Sequence, residues 1–175
     1  MRITDEVHAD FRHEFETALS TLCEAYPRVP MGEVRVVDVP GDKSLGFCDG
    51  NDIVLNGHWF CRPRAVFDAA VVAGRASQPP GVPKWHGGIG GLEREPERLI
   101  THEFGHLLGP TIPGYTEFAR AGHAAAMTSP SLAVSGYALV AGEPDEWFAE
   151  TFAAMRLGGS GSPQVAELMK FLGAV

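Results

Sequence analysis

Apolar residues recur at helical spacing near the start of the chain. Val7, Phe11, Phe15, Leu19 and Leu22 fall three or four apart, with Thr4 and Asp5 as start signals and Pro27 beyond the end. That spacing predicts an amphipathic helix over residues 4–26, covering a core with one face. The pattern then changes period. Glu33-Val34-Arg35-Val36-Val37-Asp38-Val39 is β-branched and partly alternating, which predicts a strand ended by Pro40-Gly41. Phe47-Cys48 and Ile53-Val54-Leu55-Asn56 flank the turn-rich Asp49-Gly50-Asn51-Asp52 and predict a hairpin. Together these segments imply a small sheet that is at least partly antiparallel.

Helical patterning returns from Pro63 to Ala73, where Val66, Phe67, Val71 and Val72 are interleaved with alanines. Residues 77–91 hold Pro79, Pro80, Pro83 and five glycines around Trp85 and His86. Such permissive backbone predicts an irregular connection: either the rim or lid of a cleft, or a surface loop with an aromatic anchor. The next helix is expected over residues 95–108, stopped by Gly109-Pro110. Further helices are expected over residues 115–127, from about Pro144 to Met155 before Gly158-Gly159, and over residues 163–172.

The helix over 95–108 carries Thr101-His102-Glu103-Phe104-Gly105-His106, an H-E-x-x-H pattern. Residues four apart share a helix face, so His102 and His106 can reach one ion, and Glu103 can act on a water held by it. Neutral imidazoles hold Zn²⁺ without cancelling its charge, which leaves it a strong Lewis acid. Chance alone puts such a match in roughly two of a hundred chains of this composition. The flanking Leu99, Ile100, Phe104, Leu107 and Leu108 imply a helix buried on more than one side, where histidines need partners. The competing reading makes them core histidines bonded to backbone carbonyls, with Glu103 in solvent.

A metzincin would place its third histidine at position 112, where this chain has Ile112. The third ligand is therefore expected from the later helix. Glu146 and Glu150 lie four apart on it and share a face, and buried carboxylates need cations or donors opposite them. Spacing alone lets either reach the metal. His123, within the helix over 115–127, could line the site or simply pack.

The net charge of −8 and a pI near 5.3 argue against a nucleic-acid-binding surface. There is no secretory leader and no apolar run of membrane-spanning length, so a cytoplasmic location is the default expectation, with non-standard export left open. Cys23, Cys48 and Cys61 are odd in number and widely spaced, which fits reduced thiols. A length of 175 residues suits one domain, residues 1–175, with one core.

His102-Glu103-x-x-His106, followed some forty residues later by Tyr137-Ala138 and Glu146-x-x-Ala149-Glu150, resembles the gluzincin zinc metallopeptidases. Their compact branch, which includes the anthrax lethal factor catalytic domain, is the most similar. The likeness covers roughly residues 95–157. It implies an α/β (α+β) zincin-like fold in which a small mixed sheet packs with an N-terminal helix, the H-E-x-x-H helix and a C-terminal glutamate-bearing helix. By position it implies His102, His106 and Glu146 as Zn²⁺ ligands, Glu103 as general base and Glu150 as the carboxylate orienting a histidine. Tyr137 matches a phenol facing the metal. The activity implied is zinc-dependent hydrolysis of a peptide or protein substrate. The rival expectations are a metal-binding protein of zincin fold that cleaves nothing, and a zinc amidase acting on a non-protein amide.

Overall fold

The computed structural model describes residues 2–38, 45–76, 94–130, 133–140, 142–158 and 162–173. The expected stretch 77–91, with Trp85 and His86, lies outside them. Among the described residues the chain is mixed α/β, with a four-stranded mixed sheet and eight α-helices. No helix among them is long and apolar enough to cross a membrane.

The sheet order is β1-β2-β4-β3. Strand β1 (Arg2–Ile3) runs parallel to β2 (Glu33–Val37), and β2 runs parallel to β4 (Asp52–Asn56), pairing Val34 with Ile53 and Val36 with Leu55. Strand β3 (Gly46–Asp49) closes back on β4 as an antiparallel hairpin. Gly50 takes the left-handed conformation the tight turn requires, at φ +59°. The hairpin was legible in the sequence. The parallel pairings were not, because they join segments far apart in the chain.

The N-terminal helix differs from its expected bounds. Helix α1 runs Ala9–Ala25, not 4–26. The first residues are drawn into the sheet instead, where the Thr4 N–H donates to the Val34 carbonyl at 2.9 Å and extends the β1–β2 ladder. Val7 is buried in the turn before the helix, and the His8 ring caps the first turn by accepting from the Asp10 N–H. Phe11, Phe15, Leu19 and Leu22 form the buried stripe as expected.

After β4 a short helix α2 (Gly57–Phe60) precedes α3 (Arg64–Ala76). Phe60 of α2 meets Phe11 and Phe15 of α1 with ring centroids 5.1 and 5.6 Å apart, and Phe67 of α3 meets Phe11 at 5.7 Å. Burying each such ring stabilises the fold by about 1.5–3 kcal/mol. Helix α4 (Glu95–Leu108) runs into a 3-10 turn at Gly109–Thr111, and α5 (Tyr115–Thr128), α6 (Tyr137–Val140), α7 (Pro144–Arg156) and α8 (Pro163–Gly173) follow.

Helix α4 is the centre of this arrangement. It packs against α1, β3 and, most extensively, α7. The contact with α7 is close because Gly105 lacks a side chain: a Cβ there would sit 3.0 Å from the Ala149 Cα. Closest approach at Gly105 and Ala149 sets the flanking residues opposite one another. His102 and His106 on α4 therefore confront Glu146 and Glu150 on α7. On the outer side of α7, Gly122 of α5 leaves room for the Trp147 ring, which an added Cβ would meet at 2.0 Å.

Candidate metal centre

Helix α4 is almost entirely buried, including Glu95, Arg98, Thr101, His102 and Glu103 among its polar residues. Polar side chains removed from water need partners: α7 provides them for Arg98 and His102, Arg98 serves Glu95, the Glu97 carbonyl serves Thr101, and Cys48 of β3 meets Glu103. His102 Nε2 and His106 Nε2 stand 3.1 Å apart. Glu146 Oε2 lies 3.1 Å from the first and 3.5 Å from the second. These residues form a group whose ligand atoms lie within 4.8 Å of one another and could hold a metal ion.

The directions of these contacts, more than their lengths, suit a metal better than they suit hydrogen bonds. Glu146 Oε2 is buried without an aligned hydrogen-bond donor, although both imidazoles touch it. Two ring nitrogens facing each other at 3.1 Å also leave at most one proton for the contact. Side chains converging on one shared point explain both features. With zinc–ligand bonds of about 2.0–2.2 Å, neighbouring donors of a tetrahedral site stand roughly 3.3–3.6 Å apart, slightly wider than the 3.1 Å edges here. Two imidazoles and one carboxylate, half open on one side, are a donor set that zinc accepts.

The two carboxylates of α7 are in different surroundings. The Glu146 side chain keeps 23% of its surface exposed, whereas that of Glu150 keeps 1%. Arg98 Nη1 donates to both Glu150 oxygens, at 3.0 and 3.2 Å. Glu150 Oε1 also lies 2.8 Å from His102 Nδ1, a short contact set off the ring N–H axis. With both oxygens engaged, Glu150 sits behind His102, and Glu146 faces the point the histidines share.

The electrostatics of the site follow from these contacts. Burial works to raise Glu146, but contact with the two imidazoles outweighs it and holds the carboxyl at about 2. Burial works to lower His102, and Glu146 and Glu150 together outweigh it, so the imidazole is pushed up to about 10. A site that holds a proton this firmly is one whose carboxylates attract a cation.

Glu103 is 4% exposed and faces the edge strand β3. Cys48 Sγ donates to the Glu103 carbonyl at 3.2 Å and lies 3.6 Å from Glu103 Oε2. Burial pushes the Cys48 thiol well above its ordinary value, and the Glu103 and Glu146 carboxylates add to this, so it stays protonated. Tyr137, at the start of α6, turns its ring edge-on to His102 with centroids 5.9 Å apart. Burial, then Glu146, Glu103 and Glu150, push its phenol up to about 12, which keeps its O–H proton at neutral pH. Ser135 Oγ accepts from the Ala138 N–H at 3.1 Å and braces this short helix.

His123 stands apart from this group. It is half-buried on α5 with Nε2 lacking a hydrogen-bond partner. The cysteines Cys23, Cys48 and Cys61 are free thiols. Beside the N-terminus of α7 lies an open cleft of about 480 Å³, edged by Tyr115, Arg120, Glu143 and Asp145. The Tyr115 hydroxyl donates to Asp145 Oδ1 at 2.9 Å across one wall.

Sequence reading did not single out Arg98, Glu95 or Cys48. For Arg98 a signal existed: it lies four residues before His102 on a helix whose other face is apolar, so it had to share the buried face with that histidine. Cys48 carried no such signal, since it reaches Glu103 only through packing of the hairpin on α4. Comparisons of the chain with protein families, with curated proteins and with solved structures found no match.

Proposed function

We propose that this protein is a zinc-dependent peptidase of the gluzincin type, with a zincin-like fold built around α4 and α7. The observation that supports this most strongly is the triangle of His102 Nε2, His106 Nε2 and Glu146 Oε2, with edges of 3.1, 3.1 and 3.5 Å, beside the buried carboxylate Glu103. His102, His106 and Glu146 would hold Zn²⁺. A zinc ion in such a site polarises a carbonyl and brings the pKa of its water down to about 7.

The chain's own groups divide the remaining work. Glu103 takes the proton from the attacking water and passes it to the leaving amine, the role of a general base and then acid. The Tyr137 O–H donates to the carbonyl oxygen as negative charge builds on it. Among the described residues β3 is an edge strand with Glu103 facing it, and a cleft lies beside α7; an extended peptide substrate would pair with such an edge. Glu103 also weighs against a purely structural metal site, which needs no carboxylate base.

The test is incubation of the protein with a random peptide library and with cell-wall fragments, each with and without chelator, alongside metal analysis. The expected result is about one retained equivalent of zinc and chelator-sensitive peptide cleavage. Zinc retention without any hydrolysis would establish the non-catalytic metal binder instead. Cleavage confined to the cell-wall amides would establish the amidase.

A further inference from the structure

Arg98 and His102 are four residues apart on α4 and stack on one face of it. Glu150 reaches both from α7. Arg98 meets the two Glu150 oxygens at 3.0 and 3.2 Å, and His102 Nδ1 meets Oε1 at 2.8 Å. On its other edge the guanidinium donates from Nε to Glu95 Oε2 at 3.3 Å. Glu95, Arg98 and Glu150 are 4%, 5% and 1% exposed, so water does not compete for these contacts.

We infer that Arg98 is a positioning residue for the metal centre: by engaging both oxygens of Glu150 it fixes that carboxylate against His102 Nδ1 and so aims His102 Nε2 at the point shared with His106 and Glu146. The inference rests on the proposed zinc site. A carboxylate plane turns easily about its last bond, so a single contact with His102 would leave its orientation loose. Arg98 Nη1 meets both oxygens while Nε of the same rigid plane is held by Glu95, which fixes the direction from which Nη1 approaches; a lysine ammonium, a point charge with no second nitrogen to anchor, does not. Glu95 in turn holds the guanidinium in register. Partners that orient metal-bound histidines typically govern about 10- to 100-fold in metal affinity. A mere strut between helices would change stability and leave the metal alone.

The experiment compares zinc affinity, by chelator competition at fixed pH, for the wild type, Arg98→Lys, Glu150→Gln and the double variant, each shown folded by circular dichroism. Arg98→Lys is expected to weaken zinc binding about tenfold and to alter the absorption spectrum of the cobalt-substituted protein. In the Glu150→Gln background the same change should cost less than about twofold, since no carboxylate remains to be oriented. Unchanged affinity in folded Arg98→Lys, or a full effect persisting beside Glu150→Gln, overturns the inference. If Arg98→Lys does not fold, Glu95→Gln takes its place. It should lose affinity in the same direction by a smaller factor, and no change there also overturns the inference. None of these readouts needs a substrate. A wild type that binds zinc but cleaves no peptide sinks the peptidase reading and leaves the role of Arg98 standing, whereas wild-type affinity in Arg98→Lys does the reverse.

Discussion

Where α1 meets α2 and α3, the buried side chains are Phe11, Phe15, Phe60 and Phe67, packed ring to ring. Where α4 meets α7, the buried set includes Glu95, Arg98, His102, Glu103 and Glu150. The first region needs nothing beyond its own apolar area to be stable. In the second, desolvated charges must be matched one by one, and Arg98 answers Glu95 and Glu150 while Glu146 and the histidines converge on a common point. What the first region buries is apolar packing alone, whereas the second joins apolar core of its own, Ile100, Phe104, Phe148 and Phe152, to a charged site held in shape.

That division can be broken by experiments that should separate the two regions. The largest expected effect is on chemistry. Glu103→Gln keeps the size of the side chain but cannot accept a proton, so peptide hydrolysis should fall by about 10²- to 10⁴-fold with zinc retained and stability near wild type. Turnover at the wild-type rate would remove Glu103 from the mechanism.

Next comes the aromatic region. Phe11→Ala leaves a cavity among Phe15, Phe60 and Phe67 and should cost about 3–5 kcal/mol in urea unfolding. Zinc affinity of the protein that remains folded should stay at the wild-type value. A parallel loss of zinc affinity would show that the two regions are not independent.

Within the site, Glu146→Gln should lose zinc more severely than Glu150→Gln. Under the proposed zinc site the former removes a bond to the ion, whereas the latter releases only the orientation of His102, worth about 10- to 100-fold. Chelator competition on the two variants decides the order. The reverse order would move the ligand assignment to Glu150.

The smallest effect concerns acid. In the metal-free protein Glu146 is held at about 2 against an ordinary 4.5. A lowered carboxyl contributes stability that is complete above its ordinary value and is lost as the pH falls toward 2. Glu146→Gln should therefore flatten part of the decline in stability between about pH 5 and 2, read from urea midpoints across that range. A decline as steep as that of the wild type would mean the contacts of Glu146 with the imidazoles add nothing to stability.

Local pattern was enough to predict most helices, because the buried stripe of an amphipathic helix is written in adjacent turns. The α4 bounds, the start of α7 at Pro144 and the β3–β4 hairpin all follow from such short-range signals. The pair His102 and His106 was equally legible, since a spacing of four on a helix is itself a geometric statement. Residues 4–8 were not: their helical periodicity lost to the Thr4 N–H bond with the Val34 carbonyl of β2 and the His8 N–H bond with the Phe60 carbonyl of α2, both far along the chain. Likewise, helix spacing put Glu146 and Glu150 on one face without distinguishing them, and the expectation of Glu146 as the ligand came from the resemblance. The distinction arises because Gly105 lets α7 come close to α4, which puts Glu150 against Arg98 and His102 and leaves Glu146 facing both histidines. Helix periodicity records which residues share a face, but how deeply each is buried, and which charge it meets there, depends on a second helix whose distance and rotation only tertiary packing sets.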